Sequence, residues 1–321
     1  MKSELFEKVK NSVERLKAFA PSDGSAYYLA FSGGKDSVVT KAIADLAGVK
    51  YEAHYRVTSV DPPELVRFIK RNHPDAFIDV PHYKTGPLQG KPITMWNLIP
   101  QKMMPPTRIA RYCCEKLKED GGDDGIAITG VRWAESSNRK LNQGAVVVHG
   151  DFREKDENQF SLFDESNDFD VNPRHGSLIL TNDNAENRRL VEHCFRRRKV
   201  TVNPIIEWTD ADVWEFIKSE NIPYCELYDE GWRRLGCIGC PMASTEERER
   251  EFTRWPKYKD AYMRAFEKML QRRIERNKQD PSKPIWRHGG TDYKRATAQD
   301  VFDWWMEYEK KGGKTNAQNE H

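Results

Sequence analysis

Cysteine is scarce in this chain of 321 residues: six in all, too few for the disulfide framework that holds small secreted domains together. Long apolar runs are absent as well. None approaches the roughly 20 residues that cross a bilayer, and Met1-Lys2-Ser3-Glu4-Leu5-Phe6-Glu7 lacks the apolar core of a signal peptide. The expectation is a soluble cytoplasmic protein with no membrane partner. Excess charge of one sign is missing too, since 52 Lys and Arg face 50 Asp and Glu for a net +2. Composition therefore does not announce a nucleic-acid binder, and such a reading rests on local patches. The length allows one large domain with an appendage, or two modest ones.

What the cysteines lack in number they have in arrangement. Cys113 and Cys114 are adjacent, Cys194 and Cys225 stand alone, and Cys237 and Cys240 form a C-x-x-C. Each pair puts two thiols within reach of one centre, which suggests metal or redox work.

The most informative stretch is Ser32-Gly33-Gly34-Lys35-Asp36-Ser37, directly after the apolar run Tyr27-Tyr28-Leu29-Ala30-Phe31. A strand running into this loop and then into a helix over 38–46 makes a phosphate cradle. Adjacent glycines let an anion approach the backbone, and the helix start offers unpaired N–H groups at its positive end. A Walker A loop needs a different spacing, G-x-x-x-x-G-K-[ST]. A plain Gly-Gly turn is the alternative.

Around the loop the pattern alternates. Leu5, Val9, Val13, Leu16 and Phe19 predict a helix over 1–20. Strands are expected at 51–57, 76–80 and 126–130, and helices at 63–71, opened by Pro62-Pro63-Glu64, and at 111–118. The fold class expected is α/β, a Rossmann-like parallel sheet with helices on both faces. Three parts are expected: an N-terminal helix (1–24), a nucleotide-binding domain (25–240) and a helical C-terminal region (241–321). Residues 140–190, acidic and Asn-rich around short apolar runs at 145–148 and 178–180, read as an insertion holding a hairpin, outside the core. Trp255, Tyr258, Tyr262, Phe266 and Met269 recur at helical steps and read as a packing face. The tail from 310 reads as disordered.

Further segments follow in order: Thr58-x-x-Asp61-Pro62-Pro63-Glu64; Gly130-Val131-Arg132 with Glu135 and Arg139; Asn203-Pro204-Ile205-Ile206-Glu207-Trp208-Thr209 with Asp212-Val213-Trp214; and Gly236-Cys237-Ile238-Gly239-Cys240-Pro241. With the loop, this set resembles the phosphoadenosine phosphosulfate (PAPS) reductase family, of the adenine-nucleotide α-hydrolase-like ATP pyrophosphatases, over roughly residues 25–245. The resemblance implies a [4Fe–4S] cluster on Cys113, Cys114, Cys237 and Cys240, as in assimilatory adenylyl-sulfate reductases. Zinc on the same thiolates, and a rival quartet of Cys194, Cys225, Cys237 and Cys240, stay open. It also implies ATP, Mg²⁺ and an adenine nucleotide held by Ser32, Gly33, Gly34, Lys35, Asp36, Ser37, Thr58, Asp61 and Gly130. Lys35, Asp36, Arg132 and Arg139 are the candidates for catalysis; each arginine could instead pair Glu135 or Asp212. Glu64 reads as a helix cap.

The chain departs from the reductases in one respect. They attack sulfate with a cysteine near the C-terminus, and the last cysteine of this sequence is Cys240. The reading that follows is ATP-driven adenylation with pyrophosphate release and sulfur transfer to a nucleic acid, as in DNA phosphorothioation and tRNA thiolation proteins. A sulfur-donor protein and a second copy of the chain are the further partners expected. Arg196-Arg197-Arg198-Lys199, with Arg188-Arg189, could meet a nucleic-acid backbone or be a solvated face; Arg272-Arg273 and Lys310-Lys311 weigh less. Reduction of PAPS or adenylyl sulfate, and a non-catalytic sensor of nucleotide and cluster, are the competing readings.

Overall fold

The computed structural model describes residues 3–119, 125–150, 152, 169–172, 176–180, 199–286 and 296–310. The chain divides into two compact units. The first comprises Met1–Tyr55, Glu64–Asp79 and Gly121–Arg234; the second comprises Arg56–Pro63, Val80–Asp120 and Leu235–His321. These units cut across the boundaries expected at 24 and 240.

The first unit is built on a sheet of β1 (Tyr27–Ala30), β2 (Tyr51–Arg56), β3 (Phe77–Asp79), β4 (Ile126–Ile128), β5 (Val146–Val148), β6 (Phe169–Val171), β7 (Leu178–Leu180) and β8 (Val200–Val202). Their order is β3-β2-β1-β4-β8-β5-β7-β6. β1 runs parallel to β2 and β4, and β4 parallel to β8. β5 then pairs antiparallel with β8 and β7, and β6 antiparallel with β7. The α/β class holds, with an antiparallel extension on one side.

That extension corrects the reading of 140–190 as lying outside the core. Val146, Val147, Val148, Leu178, Ile179 and Leu180 are all buried, and apolar triplets covered on both faces are what an inner strand requires. Three residues are too few to show a period, so the pairing of β5 with β8 was hidden in the sequence. A Cβ on Gly144 would sit 2.3 Å from the Leu180 carbonyl oxygen, so glycine alone lets the strands close. The acidic stretch 164–168 lies outside the described residues.

The N-terminal helix Ser3–Ala18 is part of this unit. Its buried Ser12 and Arg15 donate to the Pro204 carbonyl at 2.8 and 2.9 Å, and Tyr27 donates to the Leu16 carbonyl at 2.7 Å. Helix Lys35–Ala47 packs against it and against helix Asp210–Ser219. A capping box starts the latter: Thr209 Oγ1 accepts from Asp212 N, and the Asp212 carboxylate accepts from Thr209 N.

In the second unit, helix Pro256–Gln279 packs on helices Met95–Lys102, Thr245–Arg254 and Ala298–Lys310. The expected aromatic stripe is its packing face, with Trp255, Tyr262, Phe266 and Met269 buried. The expected helix at 111–118 exists as one α turn, Tyr112–Cys114, followed by a π-helical turn, Glu115–Glu119. Residues 311–321 lie outside the described part.

Candidate functional site

The loop after β1 is held open by its glycines. Gly33 has φ +72°, and a Cβ there would sit 2.6 Å from Ile69 Cγ1, so neither backbone nor packing admits a side chain. Gly34 is the N-cap of helix Lys35–Ala47 and supplies no side-chain cap. Ser37 Oγ donates to the Gly34 carbonyl at 2.9 Å, and Ser32 Oγ to Ser37 Oγ at 3.3 Å. Both hydroxyls thus shape the turn and flank the helix start. Gly130, just beyond β4, is a packing glycine: a Cβ there would lie 2.9 Å from Thr40 Oγ1 and 3.0 Å from the Asp36 carbonyl oxygen.

Beside the loop, cations and carboxylates balance. Arg132 is 1 % exposed. Its Nε donates to Asp36 Oδ1 at 2.7 Å, its Nη2 to Asp210 Oδ1 at 2.6 Å and its Nη1 to the Trp208 carbonyl at 3.1 Å. Lys35 Nζ lies 3.6 Å from both carboxylates. Burial works against the charge on Arg132, but Asp36 and Asp210 outweigh it and its pKa lies above the ordinary guanidinium value. Asp210 moves below the usual carboxylate range: burial opposes this, and Arg132 and Lys35 overcome it. The Arg132 guanidinium pairs with Asp36 and Asp210, while the Glu135 carboxylate accepts from Arg132 N at 3.1 Å. Arg139 does pair Glu135, at 2.9 Å.

Two residues at the loop escaped the sequence reading. Asp210 stands in the first turn of its helix, where an acidic residue is ordinary. Tyr228, in the 3₁₀ turn Glu226–Tyr228, accepts a hydrogen bond from Lys35 N at 2.8 Å. Neither has a spacing signal toward a loop more than 170 positions away.

The second unit holds the vicinal and C-x-x-C cysteines. Cys237 and Cys240 lie on a turn pinned by Ile238 N to the Val60 carbonyl (2.8 Å), Gly239 N to Glu251 Oε2 (2.7 Å) and Tyr262 Oη to the Ile238 carbonyl (2.9 Å). Gly239 has φ +72°, and a Cβ on it would meet Phe252 at 2.8 Å and Tyr262 at 3.0 Å. The four thiols act on one another. A hydrogen bond with Cys114 pushes Cys113 up, aided by burial and by Cys237 and Cys240. The same bond lowers Cys114, with Arg111 Nη2 3.5 Å from its sulfur. Burial pushes Cys237 up to about 11. Cys237, Asp61 and Cys240 together hold the Lys118 ammonium charged.

Thr58 and Asp61, expected at a nucleotide, belong to this second unit. Thr58 N donates to Asp61 Oδ2 at 3.2 Å, and Thr58 and Asp61 both act on Cys237. Among the described residues no three His, Cys, Asp or Glu side chains converge to hold a single metal ion. Cys225 is a buried thiol of the first unit, pushed up to about 11 by burial. Cys194 and the basic runs 188–189 and 196–198 lie outside the described residues. Arg273 is a structural cation, donating to the carbonyls of Met103 (2.6 Å) and Ile285 (3.0 Å). No described helix is long and apolar enough to cross a membrane.

Several known proteins are similar. An uncharacterized protein of Methanocaldococcus jannaschii is 23% identical over 275 residues, which cover 81% of this chain and 45% of that protein. The chain thus spans under half of that relative's length. The adenosine 5′-phosphosulfate reductase of Oceanobacillus iheyensis is 42% identical over 60 residues, 19% of this chain and 25% of the enzyme. A crystal structure of phosphoadenylyl-sulfate reductase from Candida auris covers 74% of this chain and 96% of its own, at 13% identity and a TM-score of 0.34. The sequence profile of the phosphoadenosine phosphosulfate reductase domain matches residues 26–243. That match takes in the loop Ser32–Ser37, both cysteine pairs and more than half of the chain, and the protein belongs to the phosphoadenosine phosphosulfate reductase domain family.

Proposed function

We propose that this protein is an ATP pyrophosphatase of its family, adenylating a substrate oxygen and preparing sulfur transfer to a nucleic acid. The observation that carries the reading is the start of helix Lys35–Ala47, where Gly34 caps with no side chain and Gly33 opens the turn. Such a start binds anions through backbone N–H groups and the helix dipole. The β and γ phosphates of ATP take the loop amides other than Lys35 N, which Tyr228 holds, and the hydroxyls of Ser32 and Ser37, while Lys35 supplies charge and Arg132 fixes Asp36 beside the loop. A substrate hydroxyl oxygen bonds to the α-phosphorus in line. The bond from that phosphorus to the α–β bridging oxygen breaks, pyrophosphate leaves with the electron pair, and the hydroxyl proton passes to water. Positioning and charge stabilisation do the catalysis, as in other phosphorus-transfer sites.

The carboxylates of Asp36 and Asp210, beside the loop, are hard oxygen donors that fit Mg²⁺; when bound, the ion neutralises phosphate charge. The sulfur donors of the second unit fit a [4Fe–4S] cluster. Cys113, Cys114, Cys237 and Cys240 would hold it, with Lys118 offsetting part of its negative charge. When bound, it supplies electron-transfer or sulfur-binding chemistry.

The test is pyrophosphate released from ATP by anaerobically purified protein, with and without transfer RNA or DNA. Release that depends on nucleic acid supports the reading. No release, together with sulfite formed from adenylyl sulfate and a thiol, overturns it in favour of reduction. The partial identity to adenosine 5′-phosphosulfate reductases is the observation behind that second reading. Tight nucleotide binding without either turnover would leave a sensor.

A further inference from the structure

Tyr228 lies against the loop at the start of helix Lys35–Ala47. Its oxygen accepts from Lys35 N at 2.8 Å and sits 3.5 Å from where a Cβ on Gly34 would be. Trp214, on helix Asp210–Ser219, holds the ring edge-on, with centroids 5.1 Å apart and planes at 82°. A phenol both accepts and donates. The lone-pair side is engaged by Lys35 N, while among the described residues its own hydrogen has no acceptor. Burial first, then the charges of Asp36, Cys225 and Asp210, keep the phenol protonated.

We infer that Tyr228 is a phosphate-recognition residue, donating its O–H to the terminal phosphoryl oxygens of a polyphosphate tail seated on the loop. This deepens the proposed function and rests on its reading of the loop. The ligand chemistry is that of a pyrophosphate unit, free or at the end of a nucleoside triphosphate. Lys35 N fixes the phenol oxygen, so the donor is aimed before the anion arrives. Little ordering remains to be done on binding.

The test titrates inorganic pyrophosphate into wild type, Tyr228→Phe and Lys35→Met by calorimetry, and follows the pyrophosphate-induced rise in thermal midpoint. Phenylalanine keeps the ring against Trp214 and removes only the hydroxyl. A hydrogen bond to a charged group contributes enough that its loss weakens binding roughly ten- to a hundredfold, and Tyr228→Phe is expected to show that loss with a ligand-free midpoint near wild type. Unchanged or tighter binding by Tyr228→Phe, with binding lost in Lys35→Met, overturns the role of Tyr228 and leaves the loop reading standing. No pyrophosphate binding by wild type overturns both.

Discussion

Arg132 Nε donates to Asp36 Oδ1 at 2.7 Å, tying the segment after β4 to the first turn of helix Lys35–Ala47. The guanidinium is 1 % exposed and also reaches Asp210 and the Trp208 carbonyl. Its planar fork makes three bonds in three directions, which an ammonium cannot do. Arg132→Met removes the guanidinium and leaves Asp36 and Asp210 to Lys35, 3.6 Å from each. The expected loss is about 3 kcal/mol, the low end for breaking a buried pair because both carboxylates keep some access to water. Arg132→Lys recovers only part of it. Urea unfolding of the two variants checks this, and a loss below about 1 kcal/mol for Arg132→Met would show the pair to be a solvated one.

Gly33 and Gly48 both adopt left-handed φ, at +72° and +66°, yet their surroundings differ. A Cβ on Gly48 meets nothing within 4 Å, whereas one on Gly33 collides with Ile69 and Leu65. Gly48→Ala is expected to cost about 1 kcal/mol, the backbone penalty alone. Gly33→Ala adds the collision and tilts the loop, so it costs more and loses pyrophosphate binding. Equal unfolding midpoints for the two variants would refute the crowding at Gly33.

Much of this architecture was legible because local chemistry dictates it. The apolar steps of the N-terminal helix, the strand–loop–helix around Ser32–Ser37, and Pro63 at the start of helix Pro63–Asn72 each carry their signal within a few residues. The stripe from Trp255 to Met269 read correctly as packing for the same reason. What escaped depends on distant partners. Val146 to Val148 become inner strand only because β8, more than fifty residues on, pairs with them. Asp210 and Tyr228 become loop residues only through the folds of helix Asp210–Ser219 and the turn after it. The family resemblance places Thr58 and Asp61 at a nucleotide; in the structure Thr58 N donates to Asp61, both act on Cys237, and Asp61 also acts on Lys118.

Cluster binding is expected to follow the vicinal and C-x-x-C thiols alone. After anaerobic purification, Cys113→Ala and Cys240→Ala should lose most iron and acid-labile sulfide. Cys225→Ala should keep both, since that thiol is buried in the first unit with Glu226 and Glu64 as its charged neighbours. Gly239→Ala is the stricter test. It leaves every thiol in place, but its Cβ presses on Phe252 and Tyr262 and moves the turn between Cys237 and Cys240. Full iron content in Gly239→Ala would show that the turn does not set the ligand geometry.

His73 gives the first unit a pH dependence. Its ring lies edge-on to Phe31 (4.7 Å) and Phe68 (5.4 Å), and its Nε2 is buried with no hydrogen-bond partner among the described residues. Burial, then Lys41, lower its pKa against the smaller pull of Asp75 and Asp45. A folded pKa below the unfolded value of about 6.5 means the unfolded chain binds the proton first. The stabilisation is therefore complete above that value and is lost as pH falls through the depressed folded pKa. His149, also lowered by burial and by Lys199, acts in the same direction. The thermal midpoint of wild type should fall between pH 7 and 5, and that of His73→Phe should fall less, with His149 and Cys114 among the groups behind the remaining slope. Phenylalanine suits the site, because the ring edges of Phe31 and Phe68 need an aromatic face and no bond is lost at Nε2. Parallel midpoint curves for the two proteins would mean that His73 takes up its proton without cost to the fold.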